Sequence, residues 1–128
     1  MKKIIKTPKS PLPIGPYNQA VFAGGTLYIS GQLPMNPETG KLVDTGIKDA
    51  TVQVMKNLQA ILTEADMSFN NVVKSSIFIT DMKDFADINA AYGDYFEESI
   101  APARETIQVS MLPLGVDVEI SMIAVSEK

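Results

Sequence analysis

The sequence predicts an α+β fold, a mixed β-sheet with two helices packed on one face. Strand-like and helix-like segments follow one another in the order β-β-β-α-β-α-β-β, which makes both helices the cover of a single sheet. Two segments carry apolar residues at three- and four-residue spacing, whereas the others alternate or run apolar between turn signals. The 128 residues, 45% of them hydrophobic, suit one domain with one core, spanning 1–128. No internal repeat, low-complexity stretch or linker interrupts them.

The elements follow in order. "KKIIKT" (2–7) is a short strand, and "PKSPLPIGP" (8–16), rich in proline, is an extended or turning loop. "YNQAVFAGGTLYISGQLP" (17–34) reads as two strands joined at Gly24-Gly25, a two-residue hairpin signal. "NPETGK" (36–41) is turn chemistry. From Ile47 to Ala65, residues Ile47, Thr51, Val54, Leu58, Ile61, Leu62 and Ala65 make one stripe of a helix, with Thr45 as a candidate N-cap. "VVKSSIFI" (72–79) is a strand. Asp81 or Asp84 can cap a second helix with the stripe Phe85, Ile88, Tyr92, Tyr95 and Phe96. The loop "EESIAP" leads into a strand starting near Arg104, "LPLG" (112–115) turns the chain, and "VDVEISMIAV" (116–125) is the final strand.

The last two strands alternate. Glu105, Ile107, Val109 and Met111 interleave with Arg104, Thr106, Gln108 and Ser110. Val116, Val118, Ile120, Met122 and Ala124 interleave with Asp117, Glu119, Ser121, Ile123 and Val125. The more apolar set of each pair is expected under the helices. Ile123 and Val125 leave the opposite face half-apolar, which suggests cover by other copies of the chain. A solvated face with two stray aliphatics is the alternative.

Composition excludes several chemistries. There is no cysteine and no histidine, which removes disulfides, thiolate nucleophiles, the Ser-His-Asp triad and Cys- or His-ligated metal sites. Any catalysis rests on carboxylates, Arg, Lys, hydroxyls, backbone groups and water. The net charge of −4 weighs against a nucleic-acid partner, whose backbone asks for a basic surface. No run of 18 apolar residues spans a membrane, and "MKKIIKTPKSP" lacks the features of a signal peptide, so a cytoplasmic location is expected.

Arg104 opens a strand behind Pro102, with Thr106 on the same strand face. A planar, permanently charged fork beside a hydroxyl suits bidentate carboxylate recognition. A salt-bridging surface arginine is the ordinary alternative. Glu119 lies between Val118 and Ile120 in the most apolar strand. If partly desolvated, and with histidine absent, it is the natural group to deprotonate water. The alternative is a strand carboxylate facing solvent. Gly31 follows a strand-like run, as at a bulge or where backbone approaches something closely. Tyr17, after Gly15-Pro16, is either a core tyrosine or an aromatic wall with a polar tip.

Together, "IGPYNQA", "YISGQLPMNPETGK", "FITDMKDFADINAAY", "PARETIQVSMLP" and "VDVEISMIAV" resemble the successive signatures of the RidA/YjgF family of reactive-intermediate deaminases, in order and over essentially the whole chain. The resemblance implies a chorismate-mutase-like subunit, a homotrimer, and sites in the clefts between subunits. It implies hydrolysis of 2-imino acids of the 2-iminobutanoate/2-iminopropanoate type to 2-keto acids and ammonia, without cofactor or metal. The matched site positions are Tyr17, Ser30, Gly31, Asn89, Arg104, Thr106 and Glu119. Arg104 would hold the substrate carboxylate and Glu119 the attacking water. Glu105 stands where many members have serine, but alternation turns it away from Arg104. A binding protein for small carboxylates without turnover is the competing reading. A ribonuclease or translation inhibitor is a third, disfavoured by the charge and the missing histidine.

Overall fold

The hairpin forms where the glycines demand it. In the computed structural model, which describes residues 1–127, Gly24 and Gly25 both take positive φ, 57° and 81°. That backbone suits a tight turn between right-twisted strands, and glycine adopts it without a Cβ clash. It joins β2 (Ala20–Ala23) to β3 (Thr26–Gln32). The remaining elements are β1 (Lys3–Ile5), α1 (Ile47–Glu64), β4 (Val72–Ile79), α2 (Phe85–Gly93), β5 (Ala103–Gln108) and β6 (Val118–Val125), in the expected order. They build one mixed six-stranded sheet, β1-β2-β3-β6-β4-β5. Every pairing is antiparallel except β4 with β5. That parallel pair needs a crossover connection, and α2 lies within it.

Both helices cover one face. The α1 stripe buries Val54, Met55, Leu58, Ile61 and Leu62 completely, against Leu27 and Ile29 of β3 and Val118, Ile120 and Met122 of β6 in the same hydrophobic cluster. Each such aliphatic side chain contributes roughly 1.5–3 kcal/mol on burial. On the uncovered face, Ile4, Val21, Tyr28 and Ile123 stand side by side across β1, β2, β3 and β6. Ile4 and Tyr28 are exposed, so this chain by itself leaves an apolar row in solvent.

Several boundaries differ from expectation. Thr45 is not the N-cap of α1. Gly46 occupies that position, and the Thr45 hydroxyl donates instead to the Asp49 carboxylate at 2.7 Å. Asp81 caps a 3-10 turn, Met82–Asp84, by accepting from the Lys83 N–H; that turn runs into α2, and Asp84 makes no side-chain cap. Tyr95 and Phe96 fall beyond α2 but still pack edge-on against Phe69. β1 is shorter than 2–7, β6 begins at Val118 rather than 116, and β5 ends before Val109.

The larger correction concerns β5. Its Arg104 and Thr106 set, not the Glu105 and Ile107 set, lies on the helix-covered face. Arg104 pairs in register with Ser75 and Thr106 with Ile77, both of which point into the core. β5 is an edge strand, so α2 aromatics cover its inner face in place of deep core. Glu105 faces outward, accepting from the Ser76 hydroxyl and pairing with Lys74 at 2.9 Å. β6 behaves as expected, with Val118, Ile120, Met122 and Ala124 buried.

Candidate active site

The proposed site residues fall into two clusters on opposite faces of the sheet. The first is built around the end of β3. The β3–β6 register slips between Ile29 and Gln32, so Ser30 and Gly31 together oppose Ser121. This is a β-bulge. A Cβ built on Gly31 would stand 1.9 Å from Oε2 of Glu119 and 2.7 Å from its Cδ. Gly31 is therefore glycine because the Glu119 carboxylate lies against its backbone. Ser30 donates to the Asn18 carbonyl at 2.6 Å, and Tyr17, whose hydroxyl accepts from the Ile14 N–H at 3.4 Å, lines one recess with Gly31 and Leu114.

Polar side chains under this cluster hold it in place. The buried Gln19 amide donates to the carbonyls of Thr7, Ser10 and Pro11, and its carbonyl accepts from the Thr7 N–H. The Ser10 hydroxyl donates to Gln32, whose amide donates to the Ser30 carbonyl at 3.1 Å. The proline-rich loop is thus tied to the bulge. Sequence reading missed both glutamines; their only signal is a long polar residue within each of two apolar strand motifs.

Glu119 itself makes no hydrogen bond or ion pair among the described residues. Half burial pushes its carboxyl above the usual carboxylate value, because desolvation disfavours the charged form. A carboxylate placed so is a stronger base than an exposed one.

The second cluster joins β5 to α2. The Arg104 guanidinium lies 5.1 Å from the Tyr92 ring centroid and 5.8 Å from that of Phe85, within reach of cation–π attraction. It has no ion pair or hydrogen bond among the described residues. Thr106, two residues along the same strand face, has a buried hydroxyl with no partner among the described residues. Asn89 is exposed on α2, four residues after Phe85 and three before Tyr92, so it shares their helix face. Sequence reading placed Phe85 and Tyr92 in a core stripe and missed their contact with Arg104.

Among the described residues the chain thus offers an unpaired cation with an open hydroxyl at the β5 edge, and an unpaired, desolvated carboxylate against a bare backbone on the interior strand β6. The first is suited to binding an anion and the second to taking a proton. Among the described residues no group of three or more acidic side chains is arranged to hold a metal, and no helix is long and apolar enough to cross a membrane.

Comparison with known proteins agrees on kinship. The family model described as Endoribonuclease L-PSP matches residues 7–126. The chain belongs to the RidA/YjgF family. It is 53% identical over 122 residues to a RutC family protein of Aquifex aeolicus, covering 94% of this chain and 97% of that one. It is 47% identical over 125 residues to the 2-iminobutanoate/2-iminopropanoate deaminase of Mus musculus, covering 98% and 92%. A crystal structure of the Rid family protein YyfA from Yersinia pestis superposes with a TM-score of 0.94 at 46% identity, covering 98% and 99%. The α+β chain accordingly has the RidA/YjgF fold throughout.

Proposed function

We propose that the protein hydrolyses 2-imino acids to 2-keto acids and ammonia, in clefts completed by a neighbouring copy within a homotrimer. One observation carries this reading. Arg104 and Glu119, both unpaired among the described residues, lie on opposite faces of one sheet, so a single copy does not bring them to one substrate. A second copy, seated on the exposed row of Ile4, Tyr28 and their neighbours, supplies the missing half and covers apolar surface at once. The name borne by the mouse relative supports the choice of substrate.

The chemistry follows from the groups. Arg104 grips the substrate carboxylate bidentately. A protonated imine is already electrophilic, so neither a covalent nucleophile nor a metal is required. Glu119 takes a proton from water as the oxygen attacks C2. The protonated Glu119 returns that proton to nitrogen. As ammonia leaves, the aminol hydroxyl gives its proton to the Glu119 carboxylate and the C2–O bond becomes the keto carbonyl. Backbone groups at Ser30 and Gly31 orient the water or the departing nitrogen.

The test generates imines in situ with an amino-acid oxidase and follows keto-acid formation with and without the protein. Glu119→Gln is expected to lower kcat by about 100-fold or more, as for a lost general base, while 2-ketobutyrate still binds by calorimetry. Wild-type binding of the keto acid without any acceleration of imine hydrolysis would make the protein a carboxylate-binding module instead.

A further inference from the structure

Arginine is a poor clamp unless something holds it. Its long side chain loses much rotamer freedom on ordering, and among the described residues no carboxylate fixes Arg104 at its edge strand. Two rings take that place. Phe85 and Tyr92 are seven residues apart, two turns of α2, and both lie under the guanidinium. Tyr92 is nearly buried and is fixed from two sides. Its hydroxyl donates to the Ser75 hydroxyl at 2.8 Å, and its ring packs tilted against Phe96, with centroids 4.8 Å apart and planes at 36°. Ser75 is itself fully buried in β4, directly beside Arg104 in register.

We propose that Phe85 and Tyr92 are positioning residues, an aromatic shelf that holds the Arg104 guanidinium so that its N–H fork meets the substrate carboxylate edge-on. This rests on the carboxylate-clamp reading of Arg104. The ring faces attract the cation from below, which leaves the in-plane donors free. The buried, unpartnered Thr106 hydroxyl lies on the same strand face, an open donor beside the fork. The shelf also replaces the acidic partner that an arginine usually finds, and such a partner would compete with the substrate. Anion affinity is therefore set by aromatic character at Phe85 and not merely by bulk.

Phe85 is 38% exposed, so substitutions there leave the fold intact. Phe85→Leu keeps apolar volume and removes the π face. It is expected to raise the Kd for 2-ketobutyrate and the KM for imine by about tenfold with kcat changed less than about twofold. Phe85→Tyr is expected to behave as wild type. In an Arg104→Ala background, Phe85→Leu is expected to leave the residual kcat/KM unchanged, because the shelf has nothing to hold. Unaltered Kd and KM in Phe85→Leu, with Arg104→Ala defective, would overturn the shelf and leave the clamp standing. An equal loss from Phe85→Leu in both backgrounds would also overturn it, by assigning Phe85 to helix packing. Wild-type keto-acid binding by Arg104→Ala would remove the clamp and the shelf together.

Discussion

Arg104 and Glu119 are both unpaired charges on sheet strands, yet the chain surrounds them differently. Arg104 rests on two aromatic faces at the open edge strand β5, where solvent and π electrons make a free cation cheap. Glu119 sits in the interior strand β6, partly buried against the Gly31 backbone, with no compensating side-chain donor among the described residues. The cation is cushioned; the anion is held at a cost. A group that binds must keep its charge, whereas a base gains reactivity from losing its solvation. The contrast between the two surroundings matches that division of labour.

The strongest way to break the comparison is at the cushioned end. Arg104→Lys keeps the charge but removes the planar fork, and kcat/KM is expected to fall by about 100-fold with the melting temperature nearly unchanged. Near wild-type turnover would mean that charge alone suffices.

At the costly end, Gly31→Ala pushes a methyl group into the Glu119 carboxylate. The side chain can swing away, so folding survives, but the base is displaced. A kcat loss of about tenfold is expected, since misplacement costs less than removal. Full activity would show that Glu119 need not lie against the bulge.

The smallest effects are on stability, and they run in opposite directions for two carboxylates of the same sheet face. Burial raises the Glu119 pKa, so the folded chain holds that proton to higher pH than the unfolded one. Its penalty grows as pH rises from the unfolded value through the folded one. Glu119→Gln is therefore expected to raise the melting temperature by a few degrees at neutral pH and by nothing in strong acid. The Ser76 hydroxyl, and after it Lys74, lower the Glu105 pKa. That contribution is present above the unfolded value and disappears as pH falls through the folded one. Glu105→Gln is expected to lower the melting temperature slightly at neutral pH, as for an exposed pair. Thermal melts from acid to neutral pH check both signs.

What the sequence disclosed was local. The α1 stripe, the Gly24-Gly25 turn and the alternation of β6 are each written within one element, and each appears in the structure. Gly31 could be read as a place of close approach, but not that its partner is Glu119, which arrives from a distant strand. The face of β5 differs from expectation because Val109 and Met111, which made the Glu105 and Ile107 set the more apolar one, lie beyond the end of the strand at Gln108; within β5, Arg104 with Thr106 and Glu105 with Ile107 differ little in polarity. Phe85 and Tyr92 on one side and Lys74 with Ser76 on the other decide the matter, and all four come from other elements. The bulge at Ser30-Gly31 and the glutamine network beneath it have the same character, being set by register between strands.

The central claim is that each working site joins the Arg104 cluster of one copy to the Glu119 cluster of another. Arg104→Ala and Glu119→Gln chains, each retaining only residual activity alone, can be unfolded together in equal amounts, refolded, and assayed for imine hydrolysis. About a quarter of wild-type activity is expected, because random assembly in a closed ring joins an intact Arg104 half to an intact Glu119 half at about one interface in four. A mixture as inactive as either variant alone, with mixed assemblies verified by mass, would contradict the claim and return both residues to a site within one copy.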